Sequence, residues 1–159
     1  MIRHACPADL PGIMLIYEKA RAFMRASGNP NQWADGRPYK ETLVSDIEKQ
    51  QLYVIEYDGD VVAVFALIIG DDPTYTTIGG GKWISDKPYG TLHRVASDGS
   101  QSGIFKECSD FAYKKTGHVR VDTHEDNKPM QNAILREGYQ YCGIIYIADG
   151  SPRLAYELV

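Results

Sequence analysis

A nine-residue apolar run at residues 61–69 constrains the fold of this chain more than any other segment. An uninterrupted apolar strand is typical of a position that is buried on both faces of a sheet. Residues 52–57 also have a strand pattern, and Asp58-Gly59-Asp60 between the two segments is typical of a hairpin turn. We therefore expect a hairpin within a layered sheet that helices cover on both faces.

The other segments alternate between helical and strand patterns. Apolar residues recur at helical spacing after Asp9, which we expect to cap the first helix, and again over residues 40–50. A third helix is predicted from Ile104 to a terminal Gly117, and a fourth helix is predicted after the capping residue Asn127. Further strands are predicted at residues 89–96, 118–123, 139–147 and 153–158. The element order β-α-α-β-β-β-α-β-α-β-β indicates one sheet of the α/β or α+β class.

Length and charge exclude several classes of function. The chain has 159 residues, which we expect to form one domain over residues 1–159. Its 17 basic and 21 acidic residues give a formal charge of −4, so no basic excess is available for phosphate contacts and no nucleic-acid partner is expected. The longest apolar run is far shorter than the ~20 residues of a membrane-spanning helix, so no membrane partner is expected either.

The cysteines indicate a reducing compartment. Cys6, Cys108 and Cys142 cannot all pair with one another, and they form no CxxC motif. We therefore expect reduced thiols in a cytoplasmic protein. Because the histidines show no ligand spacing with these cysteines, we expect no metal.

The strongest local motif is a strand, a turn rich in Ser and Gly, and a helix over residues 91–116. Unpaired backbone N–H groups and the helix dipole at such a helix start can bind phosphate without basic side chains. An ordinary helix cap explains the same pattern. The turn lacks both the GxxxxGK[ST] motif of nucleotide-binding loops and the GxGxxG motif of dinucleotide-binding folds.

The element order, the RVDTHEDNKPMQN segment at residues 120–132 and the Gly138-Tyr139 pair resemble the GCN5-related N-acetyltransferase (GNAT) family over essentially the whole chain. The resemblance implies the acyl-CoA N-acyltransferase fold, with a single mixed, mostly antiparallel sheet of about seven strands flanked by four helices. It also implies acetyl-CoA as co-substrate, with its pyrophosphate held by the turn after the fourth strand. The cofactor-binding positions it implies are Val95, Ala96, Ser97, Ser100, Gln101, Ser102, Gly103, Ile104, Phe105, Asn127 and Met130.

Two positions depart from the family pattern. Phe105 stands where the family has a small residue, and we expect it to bring bulk where the backbone should approach the cofactor. Ile134 stands where a tyrosine of the family can protonate the leaving thiolate. A thiol with a pKa of about 8.5 is a tolerable leaving group without that acid, so transfer does not require the tyrosine.

His93, in the strand before the turn, is the first candidate for a general base, because a neutral imidazole is available near pH 7. Strand alternation is expected to place it on the same face as Tyr89 and Val95. The resemblance implies that the Val95 amide faces the thioester carbonyl. His124 is the second candidate base, and Tyr141 is a candidate proton donor. A packing role in the sheet remains an alternative for each of these side chains.

The resemblance places the acceptor between the first two helices and the loop that joins strands three and four. The candidate substrate-binding residues in those segments are Gln32, Trp33, Tyr75 and Trp83. A charge of −4 mildly favours a cationic amine, because a negative field attracts cations. The edge strand of the final hairpin would permit a homodimer.

These features together predict an enzyme that transfers the acetyl group of acetyl-CoA to a primary amine of a small molecule or a protein. Two alternatives stay open at this point. A degenerate relative could bind CoA or acyl-CoA without transfer, an interpretation that Phe105 and Ile134 favour. A partner subunit that binds no CoA would require Phe105 to close the pocket.

Overall fold

The computed structural model describes residues 1–159, and its strands and helices follow the predicted order. The strands are β1 (Ile2–His4), β2 (Leu52–Tyr57), β3 (Asp60–Ile69), β4 (Gly90–Ser97), β5 (Val119–Thr123), β6 (Gln140–Tyr146) and β7 (Pro152–Leu158). The helices are α1 (Leu10–Ala26), α2 (Lys40–Glu48), α3 (Ile104–Thr116) and α4 (Lys128–Arg136), with short 3-10 helices at Pro7–Asp9 and Pro73–Tyr75. None of the helices combines the length and the apolar character that crossing a membrane requires.

The strands form one mixed sheet in the order β1-β2-β3-β4-β5-β7-β6. β4 pairs in parallel with β5, whereas the β1–β2, β2–β3, β5–β7 and β6–β7 pairs are antiparallel. The apolar run lies in β3, and the central residues of that strand are buried. The predicted fold class, a mostly antiparallel mixed sheet with four helices, is confirmed.

The chain divides into two compact units, of which the first comprises Met1–Leu67 and Arg94–Ile104. Its core gathers apolar side chains from α1, α2, β2 and β3. Ile13, Leu43 and Val64 are essentially inaccessible to water within it. The hydrophobic effect of this burial holds both helices against their part of the sheet.

The second unit comprises Ile68–His93 and Phe105–Val159. The segment between the second 3-10 helix and β4 is bound to β6 in this unit, because Gly79 and Ile144 exchange two backbone hydrogen bonds of 2.9 and 2.8 Å. Gly81 lies so close to β6 that a Cβ atom there would stand 2.0 Å from the carbonyl oxygen of Cys142. The segment thus packs backbone against backbone.

A buried carboxylate, Glu157 in β7, holds the same segment from a second side. One oxygen accepts a 2.6 Å hydrogen bond from the N–H of Ile84, and the other contacts His118 Nε2 and Arg120 Nε. Burial alone would raise the pKa of Glu157, but the hydrogen bonds from Ile84, His118 and Arg120 lower it. The carboxylate is therefore ionised and fully engaged, as a buried charge must be.

Local turn and cap predictions are confirmed at three places. Asp58 and Gly59 have φ angles of 53° and 85°, as expected for a tight two-residue hairpin turn. The side chain of Asn127 accepts a 3.2 Å hydrogen bond from the N–H of Met130 and so caps α4. Gly117 follows α3 with a left-handed φ of 67°.

Asp9 is the N-cap residue of α1, as predicted, but its carboxylate makes no cap hydrogen bond to the helix. It accepts a hydrogen bond from the N–H of Cys6 at 2.8 Å and pairs with the Arg3 guanidinium at 2.7 Å. Arg3 holds the pKa of Asp9 well below its ordinary value. A charge-assisted guanidinium contact is stronger than a bond to a neutral amide, and nothing in the local pattern around Asp9 announces it.

The close approach at Gly81 generates a stability prediction. Gly81→Ala should lower the free energy of unfolding by about 1–3 kcal/mol, since the new methyl group meets backbone atoms of β6 that cannot rotate away. Gly12→Ala in α1 is the matched control, because a Cβ there meets nothing within 4 Å. It should leave stability unchanged or raise it by up to about 1 kcal/mol. Urea unfolding followed by circular dichroism checks both, and equal stability of the two variants would contradict the close approach.

Candidate cofactor and acceptor site

The turn between β4 and α3 lies in the first unit and presents exposed backbone at the start of a helix. Asp98 shapes it, since its N–H donates to the carbonyl of Val62 and its carboxylate accepts from the N–H of Ser100, both at 2.9 Å. Gly99 and Gly103 take left-handed φ angles of 82° and 74°. The first N–H groups of a helix have no partner within the helix, so such a turn offers them to an anion.

The predicted cofactor-binding residues of the first unit fall into exposed and buried sets. The exposed ones are Ser100, Gln101, Ser102 and Gly103. The half-buried ones are Val95 and Ser97, and the buried ones are Ala96 and Ile104. Ala96 belongs to the apolar core of this unit.

Arg94 interrupts β4 with a left-handed φ of 55°, which is rare for a residue with a side chain. Two contacts hold it there: Tyr17 Oη donates to its carbonyl at 2.6 Å, and its guanidinium pairs with Asp46 at 2.7 Å. Asp46 also accepts a 2.8 Å hydrogen bond from Gln51. In a regular strand every residue is extended and side chains alternate between the two faces, which is why Val95 is expected on the same face as His93. The left-handed Arg94 between them breaks that alternation. No sequence signal marked this position.

Gln32 and Trp33, predicted to bind the acceptor, lie in the turns that follow α1. The side-chain amide nitrogen of the buried Asn29 donates to Oε1 of the Gln32 side chain at 2.9 Å. Trp33 has a left-handed φ of 59°, and its ring packs edge-on against Tyr17 with 5.6 Å between the centroids. Trp33 therefore borders the core of the first unit, on the same tyrosine that holds Arg94.

The cofactor candidates of the second unit surround the starts of α3 and α4. Phe105 is buried, and its ring packs against Tyr139 at 5.8 Å, so its bulk lies in the interior and not at the surface of the turn. The Phe105 ring therefore does not crowd the turn as expected, because burial of an aromatic ring is favourable. Asn127 and Met130 form the cap of α4. Ile134 is fully buried in that helix and has no group that could donate a proton.

His93 lies at the centre of a polar cluster in the second unit. Its Nε2 atom is 2.8 Å from Asp72 Oδ2, and its side chain remains 21% exposed. Asp72 Oδ1 accepts from both the N–H and the hydroxyl of Thr74, at 2.9 and 2.7 Å. Burial alone would raise the pKa of Asp72, but the hydrogen bonds from His93 and Thr74 lower it to about 2. The histidine therefore faces an ionised carboxylate.

An aromatic group accompanies His93. Tyr75 is buried, its ring centroid lies 6.3 Å from that of His93, and its hydroxyl donates to Asp122 at 2.6 Å. Trp83 Nε1 donates to the carbonyl of Tyr75 at 2.9 Å, and the two rings lie 5.1 Å apart. Tyr75 also stacks with Tyr89 at 6.2 Å, so the expectation that Tyr89 and His93 share a face is supported. Burial raises the pKa of Tyr75 well above its ordinary value.

His124 and Tyr141 lie apart from this aromatic group in their contacts. His124 Nδ1 accepts from the N–H of Asp126 at 3.0 Å and is 3.6 Å from the carboxylate of that residue. Tyr141 is half-exposed and packs edge-on against Tyr156 at 5.6 Å. Neither side chain shares a hydrogen bond with His93. Of the predicted catalytic and acceptor-binding residues in this unit, His93 and Trp83 are brought together through Tyr75, which contacts both.

The thiols take no part in the cluster. All three cysteines are free, with Cys108 and Cys142 buried and Cys6 exposed. Burial raises the pKa of the Cys142 thiol to about 12 and that of Cys108 further still, which keeps both in the unreactive protonated form. No group of three or more His, Cys, Asp or Glu side chains is arranged to hold a metal ion.

Comparison with solved structures identifies relatives over the full length of the chain. An acetyltransferase of the GNAT family from Streptococcus agalactiae is 35% identical, with a TM-score of 0.85 over 100% of this chain and 94% of that chain. This chain belongs to the GNAT family. A GNAT-family acetyltransferase from Listeria monocytogenes is 21% identical, with a TM-score of 0.73 over 99% of this chain and 93% of that one. Neither the comparison with family models nor that with curated proteins finds a match.

The GNAT fold also serves other chemistry. GphF, a GNAT-like decarboxylase in complex with isobutyryl-CoA, has a TM-score of 0.64 at 14% identity and covers 99% of this chain and 97% of its own. That complex shows the fold of this chain holding an acyl-CoA in another protein. GNAT membership thus supports an acyl-CoA-dependent N-acyltransferase in general, whereas the group transferred and the acceptor are decided by the site.

The Asp46–Arg94 pair generates a second stability prediction. Asp46→Ala should lower the free energy of unfolding by about 2–3 kcal/mol, since it leaves Arg94 without the buried carboxylate that it faces. The matched control is Asp110→Ala, which removes an exposed carboxylate from the Lys106 pair on α3 and should have little measurable effect. Chemical denaturation measures both, and equal losses would show that the Arg94 pair does not anchor β4.

Proposed function

We propose that this protein is an acetyl-CoA-dependent N-acetyltransferase that transfers the acetyl group to a primary amine of a small molecule or a protein. The observation that carries the proposal is its 35% identity, over the whole chain, to a GNAT-family acetyltransferase. The exposed turn before α3 and the polar cluster at His93 support it independently. The runner-up is a module that binds acyl-CoA without transfer, and it stays an outcome of the tests below.

The turn supplies the elements of a pyrophosphate site. Left-handed Gly103 directly precedes α3, and the first N–H groups of that helix have no partner within it, whereas the Ser100 N–H is engaged by the Asp98 carboxylate. Anions are stabilised at such a helix start by the unpaired N–H groups and the helix dipole. Because Phe105 turns inward against Tyr139, its bulk does not argue against cofactor binding. The proposed cofactor contacts in the second unit are at Asn127 and Met130.

The chemistry requires a base, an oxyanion donor and a leaving group. The amine nitrogen attacks the thioester carbon, a C–N bond forms, the C–S bond breaks, and the electron pair leaves with the CoA sulfur. His93 accepts the proton that the amine loses, and that proton finally resides on the thiolate or in water. The backbone N–H of Val95, which follows the left-handed Arg94, is proposed to stabilise the developing oxyanion. The thiolate leaves without a general acid, because position 134 holds an isoleucine and not a tyrosine.

His93 is preferred over the other candidates because its ring is partly exposed and hydrogen-bonded to a carboxylate. His124 contacts the backbone at the start of α4 and remains the alternative base. Tyr141 is half-exposed and remains the candidate proton donor.

Acceptor contacts are proposed within each unit separately. Gln32 and Trp33 follow α1, and Trp83 lies beside Tyr75 before β4. Tyr75 is buried with its hydroxyl bonded to Asp122, so we expect it to support the wall of the site and not to bind the acceptor directly. The formal charge of −4 favours a cationic amine. A cytoplasmic location, a single domain and a homodimer stay predictions.

Cofactor binding is tested by calorimetry with acetyl-CoA. The wild-type protein should bind, and Gly103→Asp should lower the affinity at least about 10-fold, because a carboxylate and a strained left-handed residue then face the pyrophosphate. Gly150→Asp is the matched control, since Gly150 has a similar φ of 85° and similar open space but lies in the β6–β7 turn. Absence of wild-type binding at millimolar acetyl-CoA would overturn the proposed function.

Transfer is tested by release of the CoA thiol with a panel of primary amines. His93→Gln should lower kcat about 100-fold or more, as loss of a general base does, and leave the acetyl-CoA affinity unchanged. His4→Gln is the control, because His4 only stacks on Tyr53 at the sheet edge. Binding without thiol release by the wild-type protein, for every amine, would favour the module that holds acyl-CoA without transfer.

A further inference from the structure

We propose that Asp72 is a positioning residue that holds the His93 imidazole in the tautomer whose free lone pair lies on Nδ1, so that Nδ1 is the atom that accepts the proton of the attacking amine. This inference rests on the proposed function for the role of His93 as base. Its structural part, the assignment of the tautomer, rests on hydrogen-bond geometry alone. The tautomer depends on which donors the two oxygens of the Asp72 carboxylate accept hydrogen bonds from.

The carboxylate of Asp72 has a distinct partner for each oxygen. Oδ1 accepts from the Thr74 N–H at 2.9 Å and from the Thr74 hydroxyl at 2.7 Å, which caps the 3-10 helix Pro73–Tyr75. Oδ2 lies 2.8 Å from His93 Nε2. The backbone N–H of Asp72 donates to Tyr89 Oη at 2.8 Å, so the main chain of the residue is held as well. The carboxylate cannot rotate without losing several of these contacts.

Protonation then follows from which groups can donate. The hydrogen bonds from His93 and Thr74 lower the pKa of Asp72 to about 2, so near neutral pH the group is a carboxylate and can only accept hydrogen bonds. A 2.8 Å contact between His93 Nε2 and an acceptor requires a proton on Nε2. In neutral imidazole one nitrogen carries the proton and the other carries the lone pair. The lone pair of neutral His93 is therefore on Nδ1.

The other groups near the His93 ring do not compete with Asp72 in setting its tautomer. Tyr75 faces the ring at 6.3 Å between centroids, but its hydroxyl is committed to Asp122. The guanidinium of Arg94, the next residue in the chain, is paired with Asp46. The His93 ring bonds to Asp72 through Nε2, and the His93 side chain keeps 21% of its surface exposed. A nitrogen with a lone pair and access to solvent is what a general base requires.

Asp72→Asn offers a sharp test, because Thr74 dictates how the new amide must lie. Both Thr74 donors need an acceptor at the Oδ1 position, so the asparagine carbonyl is expected there and its NH2 group is expected to face His93. A donor facing Nε2 forces the proton onto Nδ1, which inverts the tautomer and removes the base. The same logic explains why replacing the aspartate of a Ser-His-Asp triad by asparagine disables its histidine.

The direct readout is the tautomer of His93, measured by two-bond ¹H–¹⁵N correlation NMR at a pH of about 8.5, where imidazoles are ordinarily neutral. The signals are assigned by their loss in His93→Gln. The wild-type protein should show a protonated Nε2 and an unprotonated Nδ1, and Asp72→Asn should show the reverse. Asp72→Ala removes the acceptor without adding a donor, so it should show a mixture of both tautomers and provides a second test if Asp72→Asn does not fold.

Two controls separate positioning from packing. Thr74→Val removes one hydrogen bond of the turn but keeps the carboxylate, so it should retain the wild-type tautomer of His93. Asp126→Asn removes the carboxylate beside His124 and should change only the signals of that histidine. A general loosening of the fold would alter His93 in Thr74→Val as much as in Asp72→Asn.

The kinetic readout is thiol release from acetyl-CoA with an amine that the panel identifies as an acceptor. Asp72→Asn should lower kcat about 100-fold or more, as His93→Gln does, with the KM for acetyl-CoA unchanged. Asp72→Glu, which keeps the acceptor, should recover part of the activity. The double variant Asp72→Asn with His93→Gln should be no slower than either single variant, because both remove the same base.

The outcomes distinguish this inference from the function on which it rests. A wild-type His93 with its proton on Nδ1, or an unchanged tautomer in both Asp72→Asn and Asp72→Ala, would overturn the assignment even if the protein is an active transferase. A second outcome is that the tautomers are as predicted and the wild-type protein releases thiol, but His93→Gln is no slower. That outcome would overturn the role of the His93–Asp72 pair in transfer. Absence of any acetyl-CoA binding would refute the proposed function and leave the tautomer assignment standing.

Discussion

Two carboxylates hold β4 at consecutive residues, and the candidate chemistry of this protein depends on that strand. Asp72 engages His93 in the second unit, and Asp46 pairs with Arg94 in the first. A left-handed residue within a strand costs about 1–3 kcal/mol and persists only where its surroundings enforce it. Here the enforcement comes from the Asp46 ion pair and from Tyr17, which donates to the carbonyl of Arg94. Both carboxylates are largely shielded from water, so the strand cannot leave this conformation without exposing Asp72 or Asp46 or depriving it of its partner.

The segment before β4 is organised by a second kind of constraint, a cation placed between aromatic rings. The Arg120 guanidinium lies 3.9 Å from the ring centroid of Trp83 and 4.0 Å from that of Tyr89. The same guanidinium donates to the buried carboxylate of Glu157 at 3.2 Å and to the carbonyl of Ser85 at 2.8 Å. Cation–π contacts gain strength when they are shielded from water. This network sets the position of Trp83 and so of the aromatic group beside His93.

The elements of the fold could be predicted from the sequence because their signals are local. Helical spacing, strand alternation and turn residues act over a few positions, and the hairpin at Asp58-Gly59 and the cap at Asn127 followed from them directly. The same reasoning placed the cap residue at Asp9 but could not show its contacts, because a guanidinium from β1 competes for its carboxylate. It also misplaced the bulk of Phe105, since residue size is readable from a sequence but the direction of a side chain is not.

By itself, the sequence determined the element order, the central apolar strand, the turn before α3 and a family resemblance that a full-length relative confirms. Only the tertiary structure decided which groups meet at His93. The pairs His93–Asp72, Tyr75–Asp122 and Arg94–Asp46 join residues 21, 47 and 48 positions apart. No periodicity links such residues, because their contact depends on how strands and loops stack in space. The candidate base was therefore visible in the sequence, whereas the carboxylate that orients it was not.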